Sequence, residues 1–380
     1  MDRKLLLVSP YIFVCLYVVY ILIGVLFFSY VSDTFDMYAM TFVYIGVGLS
    51  FYVIGCQFTL PNIKTVCFVI TAVLVVFYPY QEYGVSILVL IIPAVAISVL
   101  LFVNKLKGEY LVVTGITLLV LRLLVKGVPL LTPELRTGNV DVPFLTGHIF
   151  LLVGTAFLTQ KWDTKYIIAL FLGGLLLLSV FTYRNVIIQY VIVVFTCLYM
   201  LKKIEVKHMV VTVLPLFVLI VFIGFMGVQY QSWHLNPWEL FVYRPAFTFG
   251  VLNMIVNKAG WVGVTHGDVW MHFTSTYVIG PALFGYKCSI TSTVMGPLIF
   301  DGGILELGVM AFFGAGLNTM YKKAVQTPSN IPFYSLVLAI FLVNVDVSFI
   351  PSLAILFFAG LYLVSDSKKK RKSEKENEKN

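Results

Sequence analysis

Apolar runs close to the length of a bilayer crossing recur along this chain from Tyr11 to Val364, about twelve of them in 380 residues. A helix needs about 20 predominantly apolar residues to cross a hydrocarbon core. Within an open chain, only a helix satisfies its own backbone polar groups there. The approximate spans are 11–31, 38–57, 64–80, 84–103, 110–127, 143–159, 165–182, 185–201, 208–229, 304–321, 331–346 and 350–365. With 60% hydrophobic and 12% charged residues, the chain lacks the polar surface to cover a soluble fold. An all-α, polytopic integral membrane protein follows. The first run is too long for a cleaved signal and lacks a small-residue cleavage site, so it reads as a retained anchor.

Charge sets the orientation, because Lys and Arg are retained on the cytoplasmic side of short loops. An even number of spans puts both termini inside, in a multi-pass protein of the cell membrane. On that arrangement the inner segments hold 19 of the 26 basic residues. The outer side keeps Arg122, Lys126, Arg136, Arg184, Arg244, Lys258 and Lys287 against ten acids. The net charge of +8 therefore belongs to cytoplasmic loops and to the tail KKKRKSEKENEKN. It points to anionic lipid heads, not to nucleic acid. Residues 1–367 read as one transmembrane domain with outer loops at 128–142 and 230–303, and 368–380 as a disordered basic tail.

Four of the six Arg, namely Arg122, Arg136, Arg184 and Arg244, fall on or beside the outer side. Arg presents a planar donor fork that suits phosphate oxygens, whereas Lys is a point charge. Arg136 sits in GVPLLTPELRTGNVDVPF, stiffened by Pro129, Pro133 and Pro143. Arg184 opens an apolar run in FTYRNVIIQYVIV and must occupy a tight turn between two helices. Arg122 lies inside the run LLVLRLLVKG, where an ionisable group costs about 3 kcal/mol at the bilayer centre. A polar cavity, a structural ion pair and snorkelling all fit Arg122. Arg244 precedes FTFGVLNMIVN, whose Phe247, Val251, Met254 and Ile255 recur at helical spacing, as in an interfacial helix whose N-terminal amides face the same anion. An amphipathic lid with a snorkelling Arg fits that segment as well.

Cys15, Cys56, Cys67 and Cys197 lie in apolar runs and behave as small hydrophobes; Cys288 is the external one, so no disulfide framework is implied. Walker A, GxSxG, HExxH and paired CxxC motifs are absent from the sequence. External groups able to take a proton are Glu134, Asp141, His234, Glu239, His266, Asp268, His272 and Asp301. Of these, THGDVWMH gathers His266, Asp268 and His272. Breaks near Gly296, Pro297, Gly302 and Gly303 allow either a broken helix that enters the membrane or a plain loop with Asp301 at a turn.

Taken in order, GVPLL with Arg136 after it, YRNVIIQYVIV, RPAFTFG and TSTVMGPLIFDGGILELG make the chain resemble the oligosaccharide repeat unit polymerases, the Wzy-type O-antigen polymerase group. The resemblance extends over most of the chain. It implies a membrane glycosyltransferase with a GT-C-like architecture, needing no metal or cofactor. Such an enzyme moves a growing glycan from a polyprenyl diphosphate to the sugar of a second lipid-linked unit on the outer face. It further implies diphosphate contacts at Arg136, Arg184 and Arg244. His266 and Asp268 join them as catalytic candidates, and Arg122, His272, Asp301 and Thr291 as substrate-binding candidates. Partners on this reading are the lipid-linked donor and acceptor, membrane lipids and a chain-length regulator. An O-antigen ligase uses the same donor with a different acceptor. A lipid-linked oligosaccharide flippase or transporter predicts internal repeats and deep polar groups, and no clear repeat relates the two halves.

Overall fold

The structure, a computed structural model, describes residues 7–83, 88–102, 106–136, 142–226, 235–272, 276–286, 288, 290–348 and 350–364. Asp141, Trp233, His234, Lys287 and the tail 368–380 lie outside the described residues. The helices are α1 (Ile12–Leu26), α2 (Met40–Gln57), α3 (Lys64–Tyr83), α4 (Leu88–Phe102), α5 (Gly108–Lys126), α6 (Val142–Lys161), α7 (Thr164–Ser179) and α8 (Arg184–Met200). They continue as α9 (Val206–Met226), α10 (Pro237–Ala259), α11 (Asp268–Met271), α12 (Thr276–Phe284), α13 (Met295–Glu306), α14 (Val309–Gln326), α15 (Ile331–Val343) and α16 (Ile350–Leu363). Among the described residues no strand occurs.

Five helices are long and apolar enough to cross a membrane: α2, α3, α5, α6 and α9. The pair α13 and α14 qualifies jointly but is bent by 107°, as a broken span or a re-entrant segment is. Five shorter apolar helices accompany them, beginning at Ile12, Thr164, Arg184, Pro328 and Ile350. The late helix expected from residue 304 starts earlier, at Met295. Its break falls at Gly302 and Gly303, whose backbone leaves the helical region, while Gly296 and Pro297 stay in the first turn.

The stretch 230–303, read from sequence as a long outer loop, carries α10, α11, α12 and the start of α13. Pro237 opens α10 and Pro245 lies inside it; Pro is tolerated at a first helical turn, and inside a helix whose neighbours take up the freed groups. Asn236 and Glu239 close the N-terminus of α10 reciprocally: the Asn236 N–H donates to Glu239 Oε2 at 2.8 Å and the Glu239 N–H to Asn236 Oδ1 at 2.8 Å. Helix α10 therefore begins seven residues before Arg244, and the amide field expected at Arg244 belongs to the turn after Asn236. Nor does α10 show a single apolar face, since Phe249, Val251, Leu252, Ile255 and Val256 are all buried.

The chain divides into two compact units. One comprises 1–103, 245–337 and 344–380. In it α2 packs on α14, α16 on α3, and α3 on α4. Gly55 and Gly314 let the first pair approach: a Cβ on Gly55 would meet the Ala311 carbonyl, and one on Gly314 the Tyr52 carbonyl. The Asn253 side-chain oxygen accepts from the Tyr38 N–H at 3.0 Å and the Thr41 hydroxyl at 2.8 Å, tying α10 to the start of α2.

The other unit comprises 104–244 and 338–343 and is built on α5 to α9. Its central contact is the antiparallel α5–α6 pair. Gly108 faces Gly154 and Gly115 faces Gly147, each pair seven residues from the next, so four glycines line one seam. A Cβ on Gly115 would lie 2.6 Å from the Leu151 nitrogen and 2.8 Å from the Gly147 oxygen; one on Gly154 would lie 2.8 Å from the Val112 nitrogen. Helix association in a bilayer has no hydrophobic drive between helices, so close backbone approach supplies the packing instead. At the far end Lys203 donates its ammonium to the carbonyls of Thr159 and Trp162, both at 2.6 Å, and satisfies the last turn of α6.

Adding a side chain to the seam should therefore reverse the usual effect of removing a helical glycine. Gly115→Val is expected to destabilise the protein by about 1–3 kcal/mol through overpacking. By contrast Gly173→Ala, where a Cβ meets nothing within 4 Å, should be neutral or stabilise by up to about 1 kcal/mol. Thermal unfolding of the two variants in detergent checks both signs.

Candidate active site

The third position of the α5 seam is Arg122, seven residues beyond Gly115, so the heptad that brings the glycines to α6 delivers a guanidinium near the C-terminal end of α5. Arg122 is 4% exposed. Its head lies over the Phe181 ring at 5.5 Å, and its Nη1 donates to the Gly127 carbonyl at 3.4 Å. A desolvated cation–π contact contributes about 2 kcal/mol, against about 3 for an arginine at the bilayer centre. A position within two turns of the helix end narrows that difference.

Phe181 belongs to the turn Val180–Tyr183 between α7 and α8. Thr182 adopts φ 62° there, and the turn is packed by rings: Phe144 lies 4.8 Å from Phe181 and 5.0 Å from Tyr183. The segment after α5 docks on the same turn, because the Leu130 N–H donates to the Val180 carbonyl at 3.0 Å. That segment ends in a 3-10 turn, Pro133–Arg136. Leu135 packs against Gly127, where a Cβ would sit 2.9 Å from its Cδ1. The backbone of Arg136 is thus carried by a loop pinned at Val180 and Gly127.

Arg184 is the first residue of α8. Its side chain crosses α9 at Gly224, where a Cβ would lie 2.6 Å from Cδ and 2.9 Å from Nη1. Seven residues earlier on the same face of α9, Phe217 meets Phe241 of α10 at 4.9 Å. Arg244 stands one turn after Phe241, half-buried. The fold therefore brings Arg122 and Arg184 to one turn, holds Arg136 on the loop docked there, and places Arg244 on a helix that meets α9, the helix the Arg184 side chain crosses.

The remaining candidates lie in the other unit. His266 and Asp268 are exposed, and His272 pairs with Asp268 through Nε2 and Oδ1 at 3.5 Å. Asp301 is 2% exposed, and its Oδ1 accepts from the Thr265 hydroxyl, from the Gly267 N–H at 2.8 Å and from the Val269 N–H at 3.3 Å. Thr291 is half-buried beside Ser292 and Thr293, ahead of α13. Among the described residues no group of three or more His, Cys, Asp or Glu could hold a metal ion.

A family profile described as "Putative O-antigen polymerase" matches residues 7–358. The chain belongs to the O-antigen polymerase family. The family is membrane-embedded and acts in polysaccharide biosynthesis, which implies a glycosyltransferase-like activity on lipid-linked sugars. The chain is also 25% identical over 373 residues to an uncharacterized protein of Methanocaldococcus jannaschii, covering 91% of this chain and 90% of that one. No solved structure matches it.

The sequence reading gave no role to Glu306, nor to His148, a histidine at a helix entry with no partner evident in the sequence. Glu306, placed by hydropathy inside a span, accepts from the Trp270 indole. His148, one turn after Phe144 on α6, is 6% exposed and stacks on Phe144 at 6.3 Å. The signal for His148 was its place next to Gly147 on a glycine heptad. Glu306 gave no sequence signal, since its partner is 36 residues upstream.

The bare α9 surface at Gly224 sets where the Arg184 head lies. Gly224→Val should displace it and destabilise the protein by about 1–3 kcal/mol, and adding Arg184→Ala to that variant should cost little more. A double-mutant cycle on thermal unfolding in detergent measures the coupling, and additive losses would show the contact to be incidental.

Proposed function

We propose that this protein polymerises polyprenyl-diphosphate-linked oligosaccharide repeat units on the outer face of the membrane. The bond between the anomeric carbon of the growing glycan and the diphosphate oxygen breaks. A hydroxyl oxygen of the acceptor sugar bonds to that carbon, its proton passes to a base, and polyprenyl diphosphate leaves. In this reading α1 to α9, the bent α13–α14 pair, α15 and α16 make twelve spans of a GT-C-like, metal-independent transferase with both termini cytoplasmic.

The observation that carries this reading is the position of Arg184. As the first residue of α8 it puts a cation at the positive end of a helix, which disfavours it by about 0.3–1 kcal/mol. An anion at that point removes the conflict, because the α8 amides and the guanidinium then attract the same charge. A diphosphate leaving group gains negative charge on its bridging oxygen as the glycosidic bond breaks, so donors fixed there bind the transition state better than the ground state. Arg forks supply bidentate contacts to it. Arg136 and Arg244 join Arg184 as diphosphate contacts, with Arg122 behind them at the same turn. His266 and Asp268, on the exposed segment of the other unit, are proposed as acceptor-side groups, one of which takes the hydroxyl proton.

Arg136→Ala, Arg184→Ala and Arg244→Ala should each abolish long glycan chains while the protein remains inserted. Arg184→Lys should restore little, because an ammonium lacks the fork. Purified protein incubated with a lipid-diphosphate repeat unit, with products resolved by size, gives a ladder for a polymerase. One transfer to a different acceptor indicates a ligase, and unchanged substrate indicates a flippase or transporter. Unaltered chain length in all three alanine variants would remove the arginine assignment.

A further inference from the structure

The segment Trp261–His272 lies along the kinked half of α13 by a short ladder of backbone hydrogen bonds. The Val264 N–H donates to the Phe300 carbonyl at 2.7 Å, the His266 N–H to the Asp301 carbonyl at 3.1 Å, and the Ile304 N–H to the Trp261 carbonyl at 3.2 Å. Gly263 (φ 85°) and Gly303 (φ 65°) meet where the two strips cross: a Cβ on the first would strike the Asp301 carbonyl, and one on the second the Trp261 carbonyl. Both the left-handed backbone and the close approach demand glycine. Across this ladder Asp301 turns its carboxylate into the loop, where one oxygen gathers the Thr265 hydroxyl and the Gly267 and Val269 N–H groups. His266, held at φ 47°, and Asp268 are left exposed, with Trp261 58% exposed at the head of the segment.

We propose that Asp301 is a positioning residue: its carboxylate shapes the Trp261–His272 segment so that His266 and Asp268 are presented to the acceptor sugar, and it contacts neither sugar nor transferred proton. This rests on the polymerase reading above. A carboxyl 98% withdrawn from solvent, with one oxygen serving three donors, is poorly placed to meet a bulky polar substrate. What the segment requires of the residue is an acceptor oxygen, and a charge is dispensable. Asn supplies the same acceptor oxygen on a side chain of the same shape, so all three donors keep their partner.

The test compares Asp301→Asn with Asp301→Ala in the full-length protein, reading chain elongation, the acceptor KM and protease cleavage between Trp261 and His272. Asp301→Ala, which strands three donors, should lower elongation about tenfold or more, raise the acceptor KM and expose the segment to cleavage. Asp301→Asn should elongate within about twofold of the native protein, with the segment still protected. Loss of activity in Asp301→Asn at normal abundance and with normal protection would overturn the proposal, because the negative charge itself would then be required. Full activity in Asp301→Ala would overturn it equally. If Asp301→Ala fails to accumulate, the Asn variant alone decides. The native protein in the same assay separates the two levels: if it gives no ladder of products the polymerase reading fails, whatever position 301 shows.

Discussion

The approach of α5 to α6 along four glycines is the constraint on which the arginine-bearing unit depends. Four positions without side chains let two backbones approach until added Cβ atoms would fall 2.6 to 3.0 Å from main-chain or side-chain atoms of the facing helix. That proximity fixes the rotation of α5, and rotation decides what Arg122 faces. A helix turned by a quarter would point the same guanidinium into hydrocarbon, at a cost of several kcal/mol. Packing and the placing of that charge are therefore linked by one heptad, in which two members are small and the third is cationic.

The two units handle charge by different means. In the unit of α5 to α9, cations are held by aromatic faces and bare glycine surfaces. Arg122 lies on Phe181 and Arg184 across Gly224. In the other unit, the buried carboxylate of Asp301 is occupied by hydroxyl and amide donors, and Glu306 takes the Trp270 indole. The first arrangement suits groups that meet a ligand; the second suits groups that hold a scaffold.

Much of this was legible in the sequence, because apolar length is a strong signal for helices in a membrane. The turn between α7 and α8 could be placed to within a residue or two, since Arg184 interrupts two apolar runs. Rotation could not be read in the same way: when lipid surrounds a helix, apolar residues occur on every face, so periodicity no longer marks the packed side. The glycines at 108, 115, 147 and 154 carried that information instead. In the 230–303 stretch a helix was legible after Arg244 from its apolar spacing, but its start was not, because Asn236 and Glu239 set it seven residues earlier. Asp301 resisted for another reason. Its donors come from 32 to 36 positions earlier, and nothing local in Asp-Gly-Gly announces them.

The glycine seam also bears on how the protein is made. Helices α5 and α6 are consecutive in the chain, so their contact has little loop entropy to overcome and can form as soon as both have left the ribosome. Arg122 is then laid down before the ring that shields it, since Phe181 follows only after α7. During that interval the nascent hairpin carries a bare cation near the C-terminal end of α5, and arrival of the next helix pair completes its shelter.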